Sequence, residues 1–257
     1  MIDQTHGNVR PVSRGPQALI CRTLVLAVVA ATGSASAASI VVSSDADNTN
    51  IDGSCTLREA IWNANDDAQI NVDCAAGSGA DTITFSLAGS VPGTITLESE
   101  LPQVRDTDGL TIDGGSLGNV TVSGNNLYRI LKVDDYAALT LRNIILERGS
   151  NSLAGGAILN EAALDIFDSV LAHNRAGQYG GAIRSGAFGD VRIFRSTLSG
   201  NQAGQQGGAI SNAGRLLIQD STLSSNSAET YGGAIKNEGD ATAQLTGSTL
   251  ADNNAVQ

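Results

Sequence analysis

The chain of 257 residues contains few charged, aromatic and proline residues. Charged residues make up 16% of the sequence and aromatic residues 4%, and only four prolines occur. Acidic residues outnumber basic ones by 26 to 15, so the formal net charge is −11. Binding to nucleic acid needs a basic face. The charge balance therefore argues against nucleic acid as a partner, and also against simple adhesion to an anionic membrane.

The sequence also lacks an apolar run long enough to cross a membrane. The apolar segment Thr23 to Ala31 has nine residues, whereas a spanning helix needs about 20. This segment follows a basic leader and precedes the small-residue triplet Ala35-Ser36-Ala37, as in a secretory signal. The sequence thus predicts a signal peptide over residues 1–37 and no transmembrane span in the mature chain. The leader is basic because of Arg10, Arg14 and Arg22.

Cysteine and histidine are scarce, with three cysteines and two histidines. Cys21 lies in the predicted leader, which leaves Cys55 and Cys74 in the mature chain. An even number of cysteines in an exported protein predicts a disulfide between these two. Two free thiols in a reducing compartment are the alternative. Zinc is not expected, because no histidine or further cysteine accompanies the pair.

The C-terminal part of the sequence repeats itself. Gly-Gly-Ala-Ile begins at Gly155, Gly180, Gly207 and Gly232, at spacings of 25, 27 and 25 residues. A second phrase recurs between these motifs and ends in Leu-x-x-Asn. A period of this length is typical of a solenoid, in which each repeat buries its apolar face against its neighbours.

Each repeat contains short apolar phrases and no segment of helical length. Leu164 and Ile166 alternate with polar residues, as do Val191 and Ile193 in the next repeat, and this alternation is typical of strands. Three strands per turn predict an all-β, right-handed parallel β-helix with about 25 residues per coil. Helical repeats and calcium-binding nonapeptide repeats fit less well. The doubled glycines interrupt any long helix, and no Asp follows Gly-Gly as the nonapeptide phrase requires.

Stacking of the coils predicts ladders of identical residues. The isoleucines after Gly-Gly are expected in the core. The asparagines are expected at a corner, because stacked amide side chains can hydrogen-bond to one another and because Asn tolerates the left-handed conformation. The doubled glycines suit a tight corner, where φ is positive or a Cβ would clash. The isoleucine ladder is Ile158, Ile183, Ile210 and Ile235, and the asparagine ladder is Asn174, Asn201, Asn226 and Asn253.

The open end of such a stack needs a cap. Thr56 and Glu59 form the pattern of a capping box before residues at helical spacing, which predicts one short amphipathic helix. Residues 38–80 are therefore expected to cap the array, with Trp62 packed against the first coil. Residues 81–257 are expected to form about seven coils. The array is interpreted as truncated at its C-terminal end, because the sequence stops between repeats.

Two family resemblances follow from these motifs. Cys55-Thr-Leu-Arg-Glu-Ala60, followed by Asp81-Thr-Ile-Thr-Phe85, resembles the CSLREA domain of exported bacterial β-helix proteins, with Thr in place of Ser. The Gly-Gly-Ala-Ile phrases resemble the repeats of chlamydial polymorphic outer membrane proteins. That match is partial, because Leu-x-x-Asn stands here where the family has Phe-x-x-Asn. The resemblance implies secretion or surface exposure, and it implies no known enzymatic activity.

No position of the repeat gathers the carboxylates that catalysis on this fold would need. Asp168, Arg195 and Asp220 share one position and mix charges, so surface ion pairs between coils are a simpler interpretation than a catalytic group. His173 has no equivalent in the other repeats and is expected to be a solvated turn residue. Outward stacking of Phe167 on Phe194 is expected to stabilise the sheet, with a sugar platform as the alternative.

A looser acidic group precedes the regular repeats. It offers the oxygen ligands that calcium prefers, but a solvated acidic loop is the simpler interpretation. No catalytic, cofactor-binding or metal-binding residue is therefore predicted, and no cofactor. The group consists of Glu98, Glu100, Asp106 and Asp108.

These features favour an exported β-helix with a structural or adhesive role and no catalysis. It is expected to be secreted or located at the bacterial outer surface, as a monomer or as part of a longer array. Partners are expected among surface polysaccharides or proteins of a host or neighbouring cell. The alternative is a lyase or glycoside hydrolase acting on an acidic polysaccharide, because the same fold hosts both classes.

Overall fold

The computed structural model describes Met1 and residues 36–87, 93–116, 118 and 120–256. The predicted signal peptide and Cys21 fall almost wholly in residues 2–35, outside this part of the chain. The chain divides into two units, Met1–Gly33 and Ser34–Gln257, and the second contains the described strands and helix. Among the described residues, no helix is long and apolar enough to cross a membrane.

The second unit is an all-β parallel β-helix of about six turns, with about 27 residues per turn. The expectation was about seven coils of about 25 residues. The difference arises partly at the N-terminal end, where residues paired on successive coils, such as Leu110 and Leu139, lie 29 apart. In the regular array the spacing alternates between 25 and 27, as between Leu164, Val191 and Leu216.

Two long parallel sheets form most of the wall. Their strands alternate buried and outward residues, because a strand that lies on a core exposes every second side chain. The first sheet, with eight described strands, contains Ser39–Val42, Thr82–Phe85, Leu110–Asp113, Ala138–Arg142, Ala163–Phe167, Asp190–Phe194, Arg215–Gln219 and Thr242–Thr246. The second contains Gly93–Thr96, Val120–Ser123, Ile145–Glu147, Val170–Ala172, Thr197–Ser199, Thr222–Ser224 and Thr249–Ala251.

Each regular coil has four strands, so the expected three was wrong. The strands of the third sheet have two residues each, which is too short to show alternation in a sequence. The third sheet contains Ser150–Asn151, Arg175–Ala176, Gln202–Ala203, Ser227–Ala228 and Asn254–Ala255. The fourth, which follows each Gly-Gly corner, contains Leu131–Val133, Ile158–Asn160, Ile183–Ser185, Ile210–Asn212 and Ile235–Asn237.

The apolar core runs along the axis between the sheets. Ile158, Ile183, Ile210 and Ile235 pair in register on successive coils. The first three are 0% exposed. Leu171, Leu198 and Leu223 form a second fully buried column from the second sheet.

Each glycine of a Gly-Gly corner has its own physical reason. The first has positive φ, as at Gly207, where φ is 68°. The second lies where coils touch, because a Cβ at Gly208 would meet the carbonyl oxygen of Gly233 on the next coil. A side chain is thus disfavoured at the first position by conformation and at the second by space.

The helix Leu57–Asn65 lies over the N-terminal end of the array and contacts the strand Ser39–Val42. Its inward residues include Leu57 and Ile61, which are almost fully buried. The strand Ser39–Val42 lies within the segment expected as a cap, yet it pairs in parallel with Thr82–Phe85 and so begins the first sheet.

Candidate functional surface

The asparagine ladder is a closed hydrogen-bond system inside one corner. The Nδ2 of Asn174 donates to Oδ1 of Asn201 at 3.0 Å, and Nδ2 of Asn201 donates to Oδ1 of Asn226 at 2.9 Å. The Nδ2 of Asn201 also donates to the carbonyl oxygen of Leu171, and its Oδ1 accepts the backbone N–H of Asn174. All three asparagines are 0% exposed, so these bonds replace water.

We expect Asn201→Ala to lower the free energy of unfolding by about 1–3 kcal/mol, because it leaves buried polar groups of Asn174 and Leu171 without partners. Urea denaturation followed by circular dichroism measures the effect. Gln202→Ala is the control, since Gln202 is exposed and its loss should change stability by no more than about 0.5 kcal/mol. An unchanged midpoint for Asn201→Ala would show that the ladder contributes nothing.

The left-handed residue of this corner is not the asparagine, contrary to the expectation. It is the residue before it, as in His173 with φ 55° and Ser225 with φ 55°. The asparagine side chain instead points inward and bonds between coils. His173 is exposed and packs beside Gly200, where a Cβ would meet its Nδ1. Its place in the corner is that of a solvated turn residue.

A ladder of serines, which the repeat phrases did not lead us to predict, lies at the corner between the first and the second sheet. Each serine hydroxyl donates to the carbonyl two residues earlier and accepts a backbone N–H from the coil before. That N–H belongs to Ile144 for the first serine and to the preceding serine of the ladder for the other three. The hydroxyl of Ser196 donates to the carbonyl oxygen of Phe194 at 2.8 Å and accepts the backbone N–H of Ser169 at 3.1 Å. The signal was present as a Ser in every copy of the second repeated phrase. The ladder is Ser169, Ser196, Ser221 and Ser248.

The motif Cys55 to Ala60 builds the N-terminal cap. Cys55 and Cys74 form a disulfide with a Cα–Cα distance of 4.8 Å, which confirms the predicted pair. Thr56 and Glu59 form a capping box, in which each side chain accepts the other residue's backbone N–H. Leu57 and Ala60 are buried in the core. These residues fix the helix rather than line a site.

Arg58 of this motif joins the cap to the first coils. Its guanidinium donates two hydrogen bonds of 2.8 Å to the carboxylate of Asp47, and two more to the carbonyl oxygens of Ser99 and Glu100. The Asp47 carboxylate also accepts the backbone N–H of Glu98 at 2.7 Å. The two side chains are 10% and 1% exposed, so this ion pair is buried, and every nitrogen of the guanidinium and both oxygens of the carboxylate form a hydrogen bond.

On the outer face of the first sheet, and at the corner that follows it, carboxylates pair with arginines on the next coil. Asp168 and Arg195 form two hydrogen bonds, of 2.8 and 2.7 Å, and these lower the pKa of Asp168. Asp165 and Arg192 form a similar pair, but burial raises the pKa of Asp165 more than the pair lowers it. Asp220 accepts from Gln219 and forms no ion pair within the described residues. Of the three residues that share this position, Asp168 and Arg195 form an ion pair and Asp220 does not take part in it.

Phe167 and Phe194 stack outward with ring centroids 5.0 Å apart and planes 7° from parallel. The guanidinium of Arg142 lies 4.2 Å from the Phe167 ring centre. Stacked rings of this kind contribute about 0.5–1.5 kcal/mol beyond their area burial. Because neighbours on both adjacent coils cover Phe167, this ring has no open face for a sugar to stack on.

The acidic group before the repeats does not converge. Glu100 lies 3.8 Å from Arg129, whereas Asp106 is buried, with Oδ1 accepting the backbone N–H of Asp108 and Gly109. Within the described residues no cluster of three or more His, Cys, Asp or Glu could hold a metal ion. Burial raises the pKa of Asp106, and its Oδ2 has no hydrogen-bond partner.

Because of Asp106, the protein should be more stable in mild acid than it would be if this carboxyl had its ordinary pKa, and this contribution should be lost toward neutral pH. A carboxyl whose pKa is raised by folding contributes stability below its unfolded pKa, and this contribution is lost as the pH rises through the folded pKa. We expect Asp106→Asn to be more stable than the wild type at neutral pH, since the amide oxygen keeps the two backbone bonds without the buried charge. Thermal melts from pH 7 to 4 should show this advantage shrinking. Asp108→Asn, at an exposed position, is the control, and an advantage that grows in acid would contradict the prediction.

The most irregular surface lies at the edge where the fourth sheet leads into the first. Connections of four and two residues alternate there from coil to coil, so the longer ones project and the shorter ones leave recesses. Tyr136 and Phe188 occupy the third position of two projecting connections and are 89% and 86% exposed. The long connections are residues 134–137, 186–189 and 238–241, and the short ones are 161–162 and 213–214.

The unequal spacing of the Gly-Gly motifs is a signal for this edge in the sequence. Two Gly-Gly motifs that enclose a short connection lie 25 residues apart, and the two that enclose residues 186–189 lie 27 apart. The unequal spacing therefore records the length of this connection. It does not by itself say at which corner of the coil the two extra residues lie.

One stretch of the array matches a known family. Residues 195–213 match the Chlamydia polymorphic membrane protein repeat. They run from the Arg195 corner through Asn201 to the Gly-Gly-Ala-Ile motif at Gly207, and so include the strands Thr197–Ser199 and Ile210–Asn212. The matched stretch and the β-helix fold together fit an array like that of the polymorphic membrane proteins. No curated protein is significantly similar to the chain.

Proposed function

We propose that this protein is exported and surface-exposed, and that its role is structural or adhesive without catalysis. The observation that carries the proposal is the polymorphic membrane protein repeat at residues 195–213, on a fold whose outward columns are short polar side chains and ion pairs. A rigid rod of stacked coils presents such columns at fixed spacing, which suits contact with a polymer or another surface. The partner is a surface polysaccharide or a protein of a host or neighbouring cell.

The N-terminal segment supports export. The predicted signal peptide directs secretion, and the disulfide between Cys55 and Cys74 belongs to oxidising compartments. The motif Cys55 to Ala60 resembles the CSLREA domain of exported β-helix proteins, which implies the same destination. We propose that residues 38–80 are such a domain, and that its role is to close the N-terminal end of the array.

Expression of the full chain in a Gram-negative bacterium tests the proposed location. An antibody against the folded array should label intact cells or the culture medium, and thiol titration of unreduced protein should find Cys55 and Cys74 blocked. A cytoplasmic β-helix with two free thiols would overturn export. A periplasmic marker protein serves as the control for cell integrity.

A second assay tests the proposed lack of catalysis. The purified protein is incubated with acidic polysaccharides, with and without calcium, and both unsaturated products and new reducing ends are measured. We expect no product while circular dichroism shows a folded β structure in the same sample. Product above background would replace the proposal with a lyase or hydrolase and direct attention to Asp165 and Asp168. The variant Asp168→Asn would then show whether that carboxylate takes part.

A further inference from the structure

The projecting connections repeat every two coils, so the outer edge has a period of 52 residues. Equivalent positions at this spacing in the projecting connections are occupied by Tyr136, Phe188 and Asp240. Basic residues recur at the same spacing in the fourth sheet, at Lys132, Arg184 and Lys236. Coils in a parallel β-helix lie about 4.8 Å apart, so equivalent atoms on alternate coils lie about 9.6 Å apart. The edge thus consists of projections about 9.6 Å apart, with a short connection recessed between each pair.

The recess between Tyr136 and Phe188 has a volume of about 470 Å³. Its floor is the end of the short connection and the first residue of the next strand on the intermediate coil, where Ala162 and Ala163 carry only methyl groups. Its walls are the two aromatic side chains, which are the most exposed large rings among the described residues. A volume of this size is within the range of small-ligand sites.

Three carboxylates and no cation line this recess. They belong to Asp135, Glu161 and Asp190. Glu161 reaches toward the projecting connection above it, because a Cβ on Gly186 would overlap its Oε2. Asp190 lies 3.2 Å from Arg215, whereas Asp135 and Glu161 form no ion pair within the described part of the chain. The recess is therefore acidic as well as aromatic.

The spacing of these groups selects the class of ligand. The carboxylates do not converge on one point, since no metal-binding cluster exists among the described residues. An anion would meet the carboxylates of Asp135 and Glu161, which form no ion pair within the described residues. The two connections that carry the rings lie about 9.6 Å apart, so an ammonium group that enters between them can approach a ring to within the roughly 6 Å over which a cation is attracted to an aromatic face. It would also be close to Glu161 or Asp135.

We propose that the recess between Tyr136 and Phe188 binds the ammonium group of a lysine side chain on a partner protein. The aliphatic stem of lysine packs between the rings and over the alanine floor, and the charged end meets the carboxylates. The net charge of −11 draws basic partners toward this surface. The assignment rests on the adhesive role proposed above and names the chemistry of its partner.

The next recess along the edge provides an internal comparison. It lies between Phe188 and Asp240 and has a volume of about 370 Å³. Its lining holds the cation of Arg215, which pairs with Asp190, and the carboxylate of Asp240, whereas the lining of the first recess holds no cation and has a second aromatic ring. A lysine is therefore expected in the first recess and not in the second.

Titration of the full protein with Nα-acetyl-lysine methylamide, followed by ¹⁵N NMR, tests the proposal. Amide shifts are expected at residues 161–163 and 187–188, and they should weaken as salt is raised. The uncharged norleucine analogue should cause at most a small part of these shifts. Equal shifts with norleucine would identify an apolar groove, and shifts with cellotriose but not with the lysine compound would identify a glycan site. Either outcome would overturn the proposal.

Variants then assign the effect to named side chains. Phe188→Ala and Glu161→Gln should each weaken binding of the lysine compound by about 2- to 5-fold, and Phe188→Trp should restore it. Tyr231→Ala is the matched control, because Tyr231 is an exposed aromatic residue outside the recess. Affinity that is unchanged in both Phe188→Ala and Glu161→Gln would overturn the assignment.

Adhesion of cells that display the protein separates this inference from the proposed function. Adhesion to lysine-bearing and lysine-acetylated protein surfaces is compared for the wild type and Phe188→Ala. Adhesion that survives both acetylation and Phe188→Ala would keep the adhesive function and remove the recess from it. Binding of the lysine compound without any adhesion would keep the recess and remove the adhesive function.

Discussion

Ile210→Asp should unfold the C-terminal coils of the array. Ile210 is 0% exposed and pairs in register with Ile183 on one side and Ile235 on the other. Loss of a buried isoleucine costs about 2–5 kcal/mol. The buried carboxyl adds a further penalty, because it must either be desolvated or stay protonated. The total approaches the whole stability of a typical domain, about 5–15 kcal/mol.

Circular dichroism and limited proteolysis measure this loss. Two controls separate its causes. Ile210→Val keeps an apolar side chain and should cost about 0.5–1.5 kcal/mol. Gln202→Asp places the same charge on the outer surface of the same coil, where Gln202 is exposed, and should change stability by about 0.5 kcal/mol or less. A melting temperature equal to that of the wild type for Ile210→Asp would mean that Ile210 does not face the core.

The repeat phrases contained enough information to predict the stacking, because every coil must place the same residue type at the same depth. Ile158 and Asn174 recur with their partners at spacings that only a solenoid explains, and the glycine pairs mark a corner. The number of strands could not be predicted in the same way. A two-residue strand such as Arg175–Ala176 has no periodicity, and only its pairing with Gln202–Ala203 on the next coil defines it.

The projecting edge could not be predicted from the sequence either, for a different reason. Tyr136 and Phe188 lie in connections that share no phrase with each other, so no alignment of short motifs brings them together. Tyr136 and Phe188 occupy equivalent positions on alternate coils, 52 residues apart, and this equivalence is seen only when every second coil is compared. Conversely, the column of Asp168, Arg195 and Asp220 looked like one group in the sequence, but the structure pairs only Asp168 with Arg195. Register predicts which residues are neighbours and does not predict which of them bond.

The motif Cys55 to Ala60 shows how a functional-looking pattern can be structural. Here Glu59 closes the capping box and Arg58 ties the helix to the backbone of Ser99 and Glu100. The capping box was predicted from the spacing of Thr56 and Glu59, and the structure confirms it. The contacts of Arg58 could not be predicted in this way, because Ser99 and Glu100 lie about 40 residues away.

Arg58→Met should cost about 3–5 kcal/mol, because it leaves the buried carboxylate of Asp47 without its cation. Methionine keeps much of the aliphatic stem, so the loss reports on the guanidinium rather than on packing. The carbonyl oxygens of Ser99 and Glu100 lose their donors in the same variant. The free energy of unfolding from urea titration measures the effect.

Arg105→Met is the matched control for this variant. Arg105 forms an ion pair of 2.8 Å with Asp66, but the two side chains are 57% and 36% exposed, and an exposed pair contributes about 0–1 kcal/mol. The two pairs have the same length, so burial is the variable that separates them. Similar small losses in both variants would mean that water reaches Asp47 and that the cap is held by the disulfide and the helix alone. A large loss only for Arg58→Met would establish this residue as the link through which the cap stabilises the first coils.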